Sequence, residues 1–429
     1  MDHVTVLADF IQKAGHQHMM NGRENGFNHR GADRSAAIRL LILLCAFFVF
    51  LRMPAGNTDP FDAEETDRDA VEDSVQTFLS GYRYSQVHTV PRYRKRNQAM
   101  SATYFDGRAF ALDGSVGLPD FCIPGLAERE HMIPQGIACL PGTDDVIISS
   151  YDADGSSPSI LSVLDARTGR VCAVFLLQYP DGRECHSHVG GIAVSDWNLY
   201  ITTKGSGIGC IPLARIRRML DAVSSGNGMP VMSLGMTAET DLSSMMNDAG
   251  TGYISVMEGM LYTGNFYHKN SAYDVSADPE HGANSLMLAF PLCGSDSETE
   301  WKNFAGCPPE RRYLIPKEIT KIQDAVVWKD RMYISSSYGR RHKSEFIIAD
   351  VRKEESADPS GEEIYTLNTD GMTSLPAMPM IEGFCIRPEN GCAYLISESG
   401  SIRYTGSTTP RHACDPTDTV WEIRLADDV

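Results

Sequence analysis

Residues 186 to 207 read HSHVGGIAVSDWNLYITTKGSG. An apolar run follows a Gly-Gly pair, turns through a polar SDWN, and returns as a second run rich in Tyr, Ile and Thr. Such a pattern predicts two short strands joined by a tight turn. The same phrase occurs four more times: PQGIACLPGTDDVIISSYDADG from Pro134, GTGYISVMEGMLYTGNFYHKN from Gly250, KIQDAVVWKDRMYISSSYGRR from Lys321 and MIEGFCIRPENGCAYLISESGS from Met380. Three copies continue into a third strand, SILSVLDARTGR from Ser159, NSLMLAFPL from Asn284 and SEFIIADVR from Ser344. Fourth strands are expected at residues 171–178 and 362–368.

Roughly four strands recur about every 55 to 70 residues, longer than the ~40 to 50 of common propeller blades, so the loops are large. Few segments have a helical period. The best, CIPLARIRRMLDAV from Cys210 to Val223, is expected as an insertion in the second unit. The fold class is all-β, a β-propeller of five blades. Six blades, the sixth built from residues 101–132 and the C-terminus, is the alternative, and a pair of open β-sandwiches is third. Residues 101–112 are expected to supply a strand that joins residues 419–425 and closes the ring.

The segments QGIA, DARTGRV, HVGGIAVS and LYIT, with the closing IEGF and LISESG, resemble a poorly characterised group of exported bacterial propellers. They are more distantly similar to gluconolactonase-like and strictosidine-synthase-like propellers. The resemblance spans about residues 130 to 425 and rests on structural motifs. It implies the fold and an exported location. The metal carboxylate and asparagines of the lactonases have no residue-by-residue counterpart here.

Composition narrows the function. With 42% apolar residues among 429, the chain can bury a large core, and a net charge of -18 argues against a nucleic-acid partner. One long apolar run, LLILLCAFFVFL from Leu40 to Leu51, follows Arg23, Arg30 and Arg34 and precedes the acidic NTDPFDAEETDRDAVEDS from Asn57 to Ser74. The positive flank predicts residues 1–35 in the cytoplasm, a signal anchor or signal peptide over 36–52, an acidic linker over 53–100 and an extracytoplasmic domain over 101–429. The membrane is therefore an expected partner through the N-terminal segment. The basic RYRKRN, Arg92 to Asn97, reads as a solvated stretch. Of eleven cysteines, Cys293 and Cys307 flank one polar loop and Cys385 and Cys392 another. Both pairs are candidate bridges, against a reading as buried free thiols.

In a propeller, loops before each first strand and after each second strand converge on one mouth of the central channel. Gln135, His188, Gln323, Asp324 and Glu382 fall at strand starts, and Tyr151, Asp152, Lys204, Asn265, Tyr267, His268, Tyr338, Arg340 and Glu398 at second-strand ends. Gln135, His188, Asn265, Gln323, Asp324, Tyr338, Arg340, Glu382 and Glu398 are the candidate ligand-binding residues. A divalent metal such as calcium at the channel mouth is a candidate occupant. His188 is expected to hydrogen-bond the neighbouring blade, with ligand contact the alternative, and His186 to lie in a loop. Gly190 and Gly191 are expected to permit close backbone approach. Residues 152–157, DADGSS, read as a turn rather than a calcium loop. Glu382 and Glu398 are expected to pair with Arg340 or Lys204, with a glycosidase-like carboxylate pair the sharper alternative. No P-loop, dinucleotide fingerprint or G-x-S-x-G occurs. The function expected is a ligand- or protein-binding module. The alternative is a hydrolase or lyase acting on a small-molecule or glycan substrate at the channel mouth.

Overall fold

The computed structural model describes residues 118–123, 132–226, 231–355, 361–406 and 413–425, all within the second of the chain's two units, Phe61–Val429. The expected membrane segment, the acidic linker and the segment 101–112 lie outside the described residues. Among the described residues no helix is long and apolar enough to cross a membrane.

Strand β1 (Leu118–Cys122) is followed by a first run of four strands, β2 (Met132–Cys139), β3 (Asp145–Asp152), β4 (Ile160–Asp165) and β5 (Arg170–Gln178). A second run holds β6 (Ile192–Val194), β7 (Asn198–Thr202), β8 (Gly207–Pro212), helix α1 (Leu213–Ser224), β9 (Val231–Gly235) and β10 (Ala238–Asp241). The third has β11 (Tyr253–Met257), β12 (Met260–Gly264), β13 (Ser285–Pro291), α2 (Ser297–Gly306) and β14 (Arg311–Ile315). The fourth has β15 (Ile322–Trp328), β16 (Arg331–Ser336), β17 (Ser344–Lys353), β18 (Glu363–Leu367) and β19 (Thr373–Ala377). The last has β20 (Ile381–Arg387), β21 (Cys392–Ser397), the one-turn helix α3 (Ile402–Thr405) and β22 (Thr419–Arg424).

Each run folds as an antiparallel meander, because tight turns return successive half-buried strands beside one another. The first strand of each run is the inner one. β2 stands beside β6 and β20, β6 beside β11, β11 beside β15, and β15 beside β20. The inner strands thus form a closed ring, the arrangement of a β-propeller. The strand that closes it is β1, antiparallel to β22, which places the 118–122 segment in the sheet of β20 and β21.

Two strands depart from a simple meander. After α1, β9 runs back to the edge of the first sheet and pairs parallel to β5. Strand β18 pairs parallel to β14 and antiparallel to β17, so it ties the third and fourth runs into one nine-stranded sheet. The fourth strand of the fourth meander is β19, not the expected 362–368 segment. Both crossing strands cover edges that would otherwise be open to pairing.

The core lies between the sheets. Met287, Trp328, Phe346, Phe384 and Trp421 belong to one buried cluster joining the third run to the last. Helix α1 begins at Leu213 rather than Cys210, since residues 210–212 belong to β8, and it buries Leu213, Ile216 and Val223. Helix α2 is held by a reciprocal cap, Asp296 with Thr299. Its Glu300 is buried and accepts hydrogen bonds from Ser195 Oγ (2.6 Å), Asn198 Nδ2 (2.9 Å) and Tyr200 Oη (2.9 Å), docking the helix onto the second run.

The repeated small polar residues also have a structural use. Ser149 Oγ accepts from Gly136 N and donates to Val189 O of the next run, and Ser335 Oγ donates to Glu382 O of the next. These bonds satisfy backbone groups where the sheets converge on the axis. There the strand backbones touch. A Cβ on Gly136 would lie 2.7 Å from Ile192 N, and one on Gly191 2.7 Å from Ile254 N. The fourth run carries Asp324 at this position instead.

Candidate functional site

Three inner strands carry an irregularity at the same level. In β2, Pro134 pairs with Ser150 but Ile137 with Ile148, leaving Gln135 and Gly136 opposite one residue. In β20, Ile381 pairs with Ser397 and Phe384 with Leu395, around Glu382 and Gly383. In β15, Gln323 is the extra residue between Ile322 and Asp324. A bulge inserts one residue and re-aims a side chain. Here Gln135, Gln323 and Glu382 line the mouth of the channel.

The chain entering β6, β15 and β20 is strained as well. Val189, Lys321 and Met380 have φ of 47°, 60° and 61°. The left-handed region costs a non-glycine residue about 1–2 kcal/mol, and a β-branched valine more than most. Hydrogen bonds hold two of these turns: Ser337 N donates to Lys321 O (3.0 Å) and Glu398 N to Met380 O (3.1 Å).

The mouth is a bowl of about 1080 Å³. Of the predicted residues, Gln135, His188, Gln323, Tyr338, Arg340, Glu382 and Glu398 line it, as do Tyr151 and Lys204. Asn265 and Asp324 do not. Asn265 is buried in the third sheet, donating to Asn284 O and accepting from Leu286 N. Asp324 Oδ1 accepts from Ser255 Oγ (2.7 Å) and Ala325 N (2.9 Å), and its Oδ2 from Phe384 N (3.1 Å). Gln323 is the extra residue of the bulge and faces the bowl, while Asp324, back in register with Ser335, is turned into the contact between inner strands. Tyr267 binds Asp274, and Asp152 closes its own turn by accepting the backbone N–H groups of Asp154, Ser156 and Ser157. Among the described residues no cluster of three or more His, Cys, Asp or Glu is placed to hold a metal ion.

On one side of the bowl Glu382 and Glu398 form a carboxyl pair. Glu398 accepts from Tyr404 Oη (3.0 Å) and Gln135 Nε2 (3.4 Å). Burial pushes its pKa up to about 7, against the Tyr404 bond and the Arg340 charge. Burial and the neighbouring Glu398 raise Glu382 well above the usual carboxylate range. At neutral pH the two carboxyls together therefore carry at least one proton. The Arg340 guanidinium stacks 4.8 Å from the Tyr404 ring centre. Beside the pair, His188 stacks on Tyr151 at 4.1 Å. The protein around His188 lowers its pKa, so its ring is neutral at pH 7 while still open to the water in the bowl. His186 lies at the rim and meets Glu184 at 3.2 Å.

The other side is aromatic. Phe266 meets Tyr273 edge to face at 5.1 Å and Tyr338 at 6.3 Å, and His268 packs on Tyr338 at 4.2 Å. Tyr273 and Tyr338 are 53% and 49% exposed, among the few large apolar side chains of the described residues left in solvent. Phe266, Tyr273 and Tyr404 were outside the sequence-based set. Tyr404 lies on α3, where no repeat marks it, and Tyr273 lies in a long loop. Phe266 follows Asn265 directly and is the residue of that pair that faces the bowl.

No family model and no curated protein matches the chain. The solved structures it resembles are β-propeller proteins. They include a GH43_1 enzyme from Xanthomonas citri, at 12% identity over 78% of this chain and 94% of that one, with a TM-score of 0.40. Glutaminyl cyclase from Myxococcus xanthus matches at 10% identity over 73% and 97%, with a TM-score of 0.36. BamB from Moraxella catarrhalis matches at 11% over 76% and 97%, with a TM-score of 0.30. At these scores the likeness assigns no activity.

Proposed function

We propose that this chain is a five-bladed ligand-binding propeller, and that its ligand is a small polyhydroxylated molecule of the glycan class bound in the bowl. One observation carries this reading: two carboxyl groups, Glu382 and Glu398, line one concave space together with the aromatic side chains of Phe266, Tyr273 and Tyr338. Carboxyl groups accept hydroxyl protons, and aromatic faces take the apolar face of a ring. The five inner strands support the blade count, each with its own meander. The positively flanked apolar segment at 36–52 supports a membrane-anchored, extracytoplasmic placement.

The test is calorimetric titration of the purified domain with an oligosaccharide and metabolite panel, for the wild type, Tyr338→Ala and the Glu382→Gln/Glu398→Gln double variant. Binding by the wild type that falls at least tenfold in both variants supports the reading. Binding unchanged in both moves the ligand away from the bowl. Protease treatment of intact cells tests the placement, and a protected domain overturns it.

A second reading has its own support. A buried and a half-buried carboxyl whose like charges raise each other's proton affinity are an arrangement that acid–base chemistry uses. In that reading Glu382 and Glu398 act as acid and base on a bound glycoside. Turnover of chromogenic glycosides by the wild type, lost in each single Gln variant, would favour it over binding alone.

A further inference from the structure

The inner strands end at a second mouth on the opposite face, a cavity of about 610 Å³ lined by Cys139, Asp144, Glu258, Arg387 and Glu389 among others. At this end β2 and β20 place two thiols side by side. Cys139 Sγ lies 3.2 Å from Cys385 Sγ, across a separation of 246 residues in the chain. Both are half-buried and both line the narrow central channel, and Cys139 also faces the lower mouth. Arg387 Nε points at Cys139 Sγ from 3.3 Å. The guanidinium is fixed in turn: it donates to Asp144 O (3.1 Å), sits 3.6 Å from the Asp144 carboxylate and lies 5.1 Å from the Tyr394 ring centre.

Neither expected cysteine pairing is formed. Cys385 lies opposite Tyr394 and Cys392 opposite Arg387, and Cys293, Cys307, Cys385 and Cys392 carry free thiols.

We propose that Cys139 and Cys385 are a reversible redox pair, with Cys139 the attacking thiol and Cys385 the resolving one, oxidised by a hydroperoxide entering from the lower mouth. The Cys385 thiol donating to it, and then the Arg387 charge, hold Cys139 below the usual thiol range, against burial and Glu389. The same contact raises Cys385. The thiolate is the nucleophile in such chemistry, and a nearby guanidinium favours it. Cys139 sulfur attacks the distal peroxide oxygen. The O–O bond breaks, the other oxygen leaves as an alcohol or water, and a sulfenic acid remains. Cys385 sulfur then attacks the Cys139 sulfur, the S–O bond breaks and water leaves with the Cys385 proton. Two thiols and one peroxide become a disulfide, water and an alcohol or a second water. A dithiol reductant reverses the step by exchange. The sulfurs need only about 1 Å of approach to reach bonding distance. The resulting bond would staple the first inner strand to the last, where the ring closes.

The experiment treats the purified full chain with hydrogen peroxide and maps its peptides by mass spectrometry. The expected result is a cross-link between the Cys139 and Cys385 peptides, with the mass of two hydrogens lost, reversed by dithiothreitol. In Cys385→Ser, a sulfenic-acid probe should label Cys139. Arg387→Gln should slow the reaction of Cys139 at least tenfold. Cys139 and Cys385 left as thiols after the exposed Cys293 and Cys307 have reacted would overturn the proposal, as would cross-links from Cys139 only to other cysteines. The wild-type map decides this even where a variant folds poorly.

Discussion

The carboxylate of Asp324 accepts the backbone N–H of Phe384 at 3.1 Å, across the boundary between two neighbouring inner strands. Three donors from three runs of the chain meet on this one side chain, which is 3% exposed. It replaces with a hydrogen-bonded group the backbone contact that glycine makes elsewhere in the ring.

That position makes Asp324 a pH-dependent part of the fold. Burial raises its pKa to about 7, so between the ordinary carboxylate range and pH 7 the folded chain holds a proton that the unfolded chain has lost. Its contribution therefore falls as pH rises through that window, by on the order of 4 kcal/mol in all. Asp324→Asn removes the titration. The stability of the wild type minus that of the variant, from urea denaturation, should fall from pH 5 to pH 8. A signed difference that rises with pH would place the carboxylate's pKa low instead.

Gly191→Ala should destabilise the domain by about 3 kcal/mol, because the new methyl would meet backbone rather than a movable side chain. Gly306→Ala has nothing within 4 Å of the added carbon and should leave stability within about 0.5 kcal/mol of wild type. Equal midpoints for the two variants in denaturant would remove the claim that the strands touch at the axis.

Glu300→Ala leaves the hydroxyls of Ser195 and Tyr200 and the Asn198 amide without their shared acceptor. The expected loss is about 3 kcal/mol, while Glu300→Gln keeps an acceptor oxygen and should cost about 1 kcal/mol. Amide exchange across 297–306 should rise in the Ala variant before it rises in the sheets. Uniform exchange would mean that the helix is held by other contacts.

For the proposed ligand, Glu398, with its pKa near 7, should make binding depend on pH. A neutral ligand that donates hydroxyl protons should bind more tightly as pH rises through 7, by about tenfold between pH 6 and 8, as the acceptor gains charge. Glu398→Gln should flatten the profile. Affinity that falls over this range would show that the protonated carboxyl is the form that binds.

The five hairpins were readable because each repeats an alternation that only a half-buried strand requires. Residues near the strand starts could then be placed by analogy, and Gln135, Gln323 and Glu382 occupy equivalent positions on the mouth. Resolution failed at single-residue scale. Asp324 is one step from Gln323, and that step turns its side chain away from the bowl. The bulges that set this direction have no marker in apolar periodicity. Strands β9 and β18 were hidden for another reason. They pair in parallel with other runs, and such pairings depend on where the chain returns rather than on its local pattern. Helix α2 was overlooked because its stability comes from a cap and one buried carboxylate, with little apolar periodicity to read.

The β1–β22 ladder has a mechanical meaning. Leu118 lies opposite Glu422 and Cys122 opposite Thr419, so the upstream end of one strand and the downstream end of the other emerge on the same side. Tension applied between those two ends would not shear the ladder as a block. It would peel the hydrogen bonds apart one pair at a time, the weakest direction for an antiparallel joint. A molecule held from upstream of residue 118 and pulled beyond residue 425 would open at this seam first, while a pull across the inner strands would meet the whole ring.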